Sequence, residues 1–236
     1  MKNNVDCLAF GAHPDDVELF CGGTLVKLKR AGYSTAICDI TRGELSTNGD
    51  PPTRKREMEA ASKLLGIDYR LNLGIPDGNI LWTTENRDAV ISVLRKFRPK
   101  LVLAPYWEDR HPDHVAAAQL IKNALFYSGL SKIETELPAF RPSIVLFYML
   151  HFLFQPTLIV DISEYYENKM ESIRAYRSQF SRTQENEIQT YINNNNFLES
   201  IEARAKLYGF QAGCTFGEPF FHHGPIKINN IIEYFS

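Results

Sequence analysis

The sequence predicts a single-domain α/β fold over residues 1–236, a mostly parallel, Rossmann-like sheet with helices on both faces. Three observations lead there. Short apolar runs alternate with longer segments of helical period, the pattern of repeated βαβ units. The composition, 44% hydrophobic and 23% charged, is that of a globular protein able to bury such a sheet. No Gly/Ser linker, charge block or internal repeat interrupts the chain, so nothing in it marks a domain boundary.

Taken in order, Cys7 to Gly11 is a continuous apolar run, as a strand covered on both faces requires, and helical period follows from Glu18 to Ala31. A second strand, Thr35 to Ile40, precedes a helix from Arg54 to Leu65; a third, Tyr69 to Leu73, precedes one from Asn86 to Phe97. The fourth, Leu101 to Ala104, leads into a helix from Asp113 to Tyr127. Ile144 to Met149 and Leu158 to Ile162 complete the predicted strands, with helices from Glu164 to Phe180 and from Phe197 to Tyr208, the last ending at Gly209. Several of these helices are bounded by Gly or Pro. The Asn-rich segment from Asn193 to Asn196 reads as an exposed loop.

A formal charge of −2 offers no broad attraction for nucleic acid or an anionic membrane, so any anion recognition is local. The longest apolar stretch, Ile144 to Phe154, contains His151 and falls well short of the roughly 20 residues a membrane helix needs. It reads as a buried strand, with His151 a core histidine. The first residues carry no basic segment or long apolar core of a secretory signal, which gives a cytoplasmic expectation. Cys7, Cys21, Cys38 and Cys214 have no paired spacing and read as reduced, mostly buried thiols.

Open α/β sheets bind ligands beyond the carboxyl ends of their strands. The loops after the first four strands carry His13, Asp15 and Asp16; Arg42, Glu44, Ser46 and Asn48, with Arg54 opening the helix; Asp77; and Asp109, Arg110, His111, Asp113 and His114. The first and fourth hold the most specific motifs, Ala12-His13-Pro14-Asp15-Asp16 and His111-Pro112-Asp113-His114. A catalytic zinc takes about three nitrogen or oxygen ligands and keeps one position open, a count that His13, Asp16 and His114 satisfy. Asp15 is then a spare carboxylate where a general base is needed, and His111, as imidazolium, could face a developing oxyanion with Asp113 to orient it. The competing structural reading makes each His-Pro-Asp a helix start, with Asp as cap and Pro in the first turn.

Other residues speak less specifically. Arg54 and Arg110 are placed to clamp a substrate carboxylate, although Arg54-Lys55-Arg56-Glu57 also fits a solvated helix face. Glu44, Ser46 and Asp77 are candidate substrate contacts, Asp77 also being a turn former before Gly78. His222 and His223 are adjacent and read as structural or surface residues; Tyr176 and Gln179, one helical turn apart, read as packing.

On these motifs the chain resembles the LmbE/PIG-L superfamily of zinc-dependent N-acetylglucosaminyl deacetylases. The likeness extends to Thr41-Arg42-Gly43-Glu44, Asn48-Gly49, Pro76-Asp77-Gly78, Asp109-Arg110, Ser178-Gln179-Phe180 and the run from Glu202 to Gly209. It is greatest with the bacillithiol-biosynthesis branch, which removes acetate from N-acetylglucosaminyl malate. The resemblance implies that His13, Asp16 and His114 bind zinc, that Asp15 is the base, that His111 stabilises the intermediate with Asp113 behind it, and that Arg54 and Arg110 contact the malate carboxylates. It also implies a homo-oligomer, often a hexamer, and a small-molecule glycoside substrate. Relatives tend to have a tyrosine where this chain has Phe197, with Tyr191 a few residues earlier.

The same ligand set can hold ferrous iron in place of zinc. Within this reading the alternatives are deacetylation of another N-acetylglucosaminide and amidase action on bacillithiol conjugates. A nucleotide-binding oxidoreductase is disfavoured because Gly11 to Asp16 lacks the glycine spacing for a pyrophosphate and puts acids where phosphate would sit. A non-enzymatic sugar-binding module leaves Asp15 unexplained.

Overall fold

A computed structural model describes residues 4–181, 188–228, 230 and 232. In it β1 (Cys7–Gly11), β2 (Thr35–Asp39), β3 (Tyr69–Asn72), β4 (Leu101–Pro105), β5 (Ile144–Tyr148), β6 (Leu158–Asp161) and β7 (Gly217–Phe221) form one seven-stranded sheet, ordered β3-β2-β1-β4-β5-β7-β6. The pairs from β3 through β5 are parallel, while β7 runs antiparallel to both β5 and β6. The mostly parallel sheet is as predicted.

The helices are α1 (Asp16–Arg30), α2 (Pro51–Leu65), α3 (Thr84–Phe97), α4 (Pro112–Tyr127), α5 (Tyr166–Arg174), α6 (Arg177–Phe180) and α7 (Asn195–Ala212). Alternation along β1 shows why both faces are covered: Cys7 and Ala9 enter a core with residues of α1, α2, α5 and α7, whereas Leu8 and Phe10 enter another with α3 and α4. Among the described residues no helix is long and apolar enough to cross a membrane. All four cysteines are free, Cys7, Cys21 and Cys38 being buried.

Strand order positions the site. From β1 the chain steps outward to β2 and β3, then returns to lay β4 on the other side of β1, so the crossover direction reverses between β1 and β4. A crevice opens at such a reversal, outside the carboxyl ends of the two strands. The loops after β1 and β4 carry the two histidine-acid motifs.

The structure departs from the predicted elements in four places, one being the Asn-rich segment read as an exposed loop, where Asn193 is buried and α7 already begins at Asn195. The sequence reading missed β7, whose Pro219 argues against an interior strand. The carbonyls of Phe216 and Phe220 both accept from the β6 side, so Pro219 turns its nitrogen toward β5, beyond that strand's end at Tyr148, where no ladder bond is lost. The single helix expected from Glu164 to Phe180 is a 3-10 turn, α5 and α6, because the chain leaves helical geometry at Tyr176 (ψ 64°). Its phenol turns inward and donates to the buried Glu18 carboxylate at 2.9 Å. Finally, α7 passes Gly209 and ends at Ala212 with Gly213 left-handed. Gly209 permits contact here: a Cβ on it would lie 2.6 Å from the Thr215 carbonyl.

Candidate active site

Four loops at the carboxyl edge of β1 to β4, with residues 190–192, surround a cleft of about 450 Å³. At its floor a ligand atom from each of His13, Asp16 and His114 lies within 4.8 Å of the others. Asp16 opens α1, and its carboxylate is 3.1 Å from His114 Nε2 and 3.7 Å from His13 Nδ1; it also accepts the His13 backbone N–H at 2.9 Å. The tight turn expected between His13 and Asp16 thus exists and is closed by Asp16 itself.

Charge balance shows what this trio suits. Burial would raise the Asp16 carboxyl, but the neighbouring charge and hydrogen bonds of His114 and His13 hold it well below its usual range. Burial opposes protonation of His114, yet Asp16 and Asp109 push it up to about 9, and Asp113, Asp16 and Asp77 raise His13 likewise. Two imidazoles that draw protons into a buried acidic pocket mark a place where a cation is stabilised, and a metal ion would take over those protons' charge.

Asp15 is the carboxylate left over. Its backbone is left-handed (φ 129°, ψ −23°), a region costly for any side-chain-bearing residue, and this turn directs its carboxylate away from the trio's ligand atoms. The side chain is buried beside Arg54, whose Nη2 donates to Asp15 Oδ2 at 2.8 Å while Nε and Nη2 both donate to the Pro14 carbonyl, at 2.9 and 2.6 Å. Arg54 therefore grips both sides of the strained peptide. Burial raises the Asp15 carboxyl to about 7 against the lowering charge of Arg54, with Asp16 adding to the rise.

Several expectations change at this point. Arg54 is 5% exposed, and its remaining Nη1 contacts Ser46 Oγ at 3.2 Å, so it braces Asp15 instead of standing ready as half of a carboxylate clamp. Glu44 does not line the cleft; its carboxylate accepts the backbone N–H groups of Arg42 and Asp77 and so fixes the two loops against each other. Ser46 lines the cleft with its hydroxyl donated to the Gly43 carbonyl. Asp77 lines it too, accepting from Leu45 N–H at 2.9 Å and lying 3.0 Å from His13 Nε2.

His111 and Asp113 are both at the site, but Asp113 does not stand behind His111. Asp113 accepts the Gly78 N–H at 2.8 Å and lies 3.4 Å from His13 Nε2. His111 caps α4, its Nδ1 accepting the Asp113 N–H at 3.2 Å. Burial and the charges of His114 and His13 lower its pKa, and with Nδ1 accepting the Asp113 N–H the ring's hydrogen lies on Nε2.

Arg110 lies over the Tyr191 ring at 3.9 Å, and both line the cleft. Phe197 is buried in the core, 5.8 Å from Tyr191 between ring centroids. Residues the sequence reading assigned elsewhere also arrive here. His151, read as core, lines the cleft at the end of β5; Gln179, read as packing, lines it and donates to the Asn48 carbonyl at 2.9 Å. The rule that drew attention to the first four strand ends, applied to the fifth, would have found His151.

Residues 8–125 match the family described as PIG-L, GlcNAc-PI de-N-acetylase. The chain belongs to the PIG-L family. It is 31% identical over 188 residues to the diacetylchitobiose deacetylase of Thermococcus kodakarensis, covering 73% of this chain and 69% of that one. A Bacillus anthracis protein named "Probable N-acetyl-alpha-D-glucosaminyl L-malate deacetylase 2" is 27% identical over 201 residues, covering 77% and 84%. The solved structure of the conserved protein TT1542 from Thermus thermophilus superposes with a TM-score of 0.88 at 37% identity, over 96% of this chain and 98% of that one. PIG-L membership makes the chain a hydrolase, and its His13–Asp16–His114 cluster fits the metal dependence of the family.

Proposed function

We propose that this PIG-L protein is a zinc-dependent deacetylase of N-acetylglucosaminides that carry an anionic aglycone, the class that includes N-acetylglucosaminyl malate. The observation that carries the hydrolytic reading is Asp15, a buried carboxylate beside the His13–Asp16–His114 trio but outside it, held at about 7. A binding site has no use for such a group, and a hydrolase needs one.

His13, Asp16 and His114 would hold the zinc, which when bound supplies a water acidified toward neutrality and a polarised acyl oxygen. Asp15 takes the proton of the attacking water and returns it to the departing amine, the two transfers a single buried carboxylate beside the trio can serve. Arg54 keeps the Asp15 carboxylate in place through the Pro14 carbonyl and the carboxylate itself. His111 donates from Nε2 to the oxygen on which negative charge grows.

Selectivity for an anion rests on Arg110. Arg54 is committed, whereas Arg110 makes no hydrogen bond or ion pair among the described residues and lies over the Tyr191 ring at the cleft wall. A guanidinium so presented suits a carboxylate on the sugar's partner. Diacetylchitobiose, for which the Thermococcus relative is named, is neutral and is the natural comparison.

Acetate release with and without a chelator tests the hydrolytic reading; chelator-insensitive release, or none, overturns it. Turnover of N-acetylglucosaminyl malate is then compared with that of diacetylchitobiose and N-acetylglucosamine. Preference for malate is expected, with Arg110→Gln raising KM for the malate substrate about tenfold or more. Equal kcat/KM for the three, unaffected by Arg110→Gln, would remove the anionic aglycone.

A further inference from the structure

We infer that His151 is a positioning residue for the metal site: through Asp109 it locks the His114 imidazole in the tautomer that leaves Nε2 to a metal ion. The inference rests on the metal-site reading of His13, Asp16 and His114 and adds a support that neither histidine motif contains.

The support is a shared carboxylate. The Asp109 side chain is fully buried, and its Oδ1 lies 2.8 Å from His114 Nδ1 and 3.0 Å from His151 Nδ1 while accepting the His111 N–H at 2.9 Å. Its Oδ2 accepts the His151 N–H at 2.7 Å. Each of its oxygens already accepts a backbone N–H, Oδ1 from His111 and Oδ2 from His151, so the carboxylate meets both imidazoles as an acceptor. Both Nδ1 atoms must therefore carry hydrogen. With Nδ1–H of His114 fixed on Asp109, Nε2 is the atom left to coordinate, and Nε2 is the atom that faces Asp16.

His151 supplies two of the contacts that hold Asp109, its backbone N–H and its Nδ1. Its ring lies parallel to that of His114, centroids 5.4 Å apart at 6°, and is wedged edge-on against Phe20 at 5.5 Å. The arrangement carries a cost: His151 Nε2 is buried with no hydrogen-bond partner among the described residues. A ring that served packing alone would do better as phenylalanine or leucine, so the orphaned nitrogen points to what the other nitrogen does.

The test is zinc affinity of the metal-free protein, measured by competition with a chromophoric chelator. His151→Leu removes the donor and is expected to weaken zinc binding about 10- to 100-fold, the usual effect of losing such an outer partner. His151→Asn keeps an amide N–H close to the Nδ1 position, dispenses with the orphaned nitrogen, and is expected to bind zinc within about threefold of the wild type, a rescue that simple loss of packing would not produce. Because the two residues act in series, Asp109→Asn should weaken binding similarly, and Asp109→Asn/His151→Leu should lose little more than Asp109→Asn alone. Unchanged affinity in His151→Leu, or equal weakening in the leucine and asparagine variants, overturns the inference. Thermal melts of the metal-free variants check folding, and His151→Phe, which keeps a ring without nitrogens, stands in if the leucine variant does not fold. A wild-type protein that binds no zinc would instead sink the metal-site reading, so the two failures are distinguishable.

Discussion

Replacing Asp15 by asparagine should stabilise the metal-free protein, and should do so only as pH rises. A carboxyl with an ordinary value of 3.8 that titrates at about 7 when folded binds its proton more tightly in the native state. Below pH 3.8 it is protonated in both states and costs nothing; between 3.8 and 7 the unfolded chain ionises while the folded one does not, and above 7 the penalty is complete. At about 1.36 kcal/mol per pH unit the full penalty is about 4 kcal/mol. Integrated from about pH 5 to about pH 8, the differential is about 2.6 kcal/mol. Asparagine resembles the protonated acid and keeps an oxygen for Arg54, so the variant lacks this pH dependence while retaining the contact. The assay is urea unfolding of both proteins in excess chelator at about pH 5 and about pH 8. The stability gap between Asp15→Asn and wild type should widen by about 2–3 kcal/mol across that interval. A gap that stays constant would refute the claim that burial raises this carboxyl, and with it the match between Asp15 and proton transfer near neutrality.

In the metal-loaded enzyme, Asp15→Asn should retain zinc yet lose about 10²- to 10⁴-fold in turnover, while Asp16→Ala and His114→Ala lose the metal itself; elemental analysis beside the acetate assay separates the two, and metal loss in Asp15→Asn would undo the division of labour. Gly209→Ala places a Cβ 2.6 Å from the Thr215 carbonyl and should cost about 2–3 kcal/mol, seen as a Tm lowered by roughly 5–10 °C; a Tm within about a degree of wild type would show that the loop yields freely. The buried Lys169–Glu218 pair, 2.7 Å apart, gives a coupled prediction, since Glu218 also accepts the Gly23 and Thr24 N–H groups freed where α1 breaks at Cys21. Lys169→Met should cost about 3–5 kcal/mol by stranding that carboxylate, and adding Glu218→Gln should recover part of the loss; simple additivity in denaturant titrations would deny the coupling.

How far the sequence reveals this molecule depends on which physical quantity each feature expresses. Strands β1, β2 and β4, at the centre of the mostly parallel sheet, express burial, which a run of apolar residues states directly, whereas β7 hid behind Pro219 because its legality depends on which neighbour the missing N–H faces. Arg54 was legible as a cation near the first motif, but where its donors go is a tertiary fact: the turn that strains Asp15 also presents the Pro14 carbonyl to it. Asp113 misled for a related reason. Being close to His111 in sequence suggested a pair, yet at the start of α4 successive side chains diverge, so Asp113 turns to His13 and Gly78 while Asp109, before the helix, reaches His114. The two motifs, by contrast, say more than which residues could hold a metal. A metal shared by residues after the first and fourth strands requires those strands to be neighbours, and in a sheet whose first three strands are laid outward in order, β4 can reach β1 only by returning to its free side. That return is the reversal at which the crevice opens. The chemistry of His13, Asp16 and His114 therefore constrains the strand order, and it does so where hydrophobic pattern, which is alike on every buried strand, is silent.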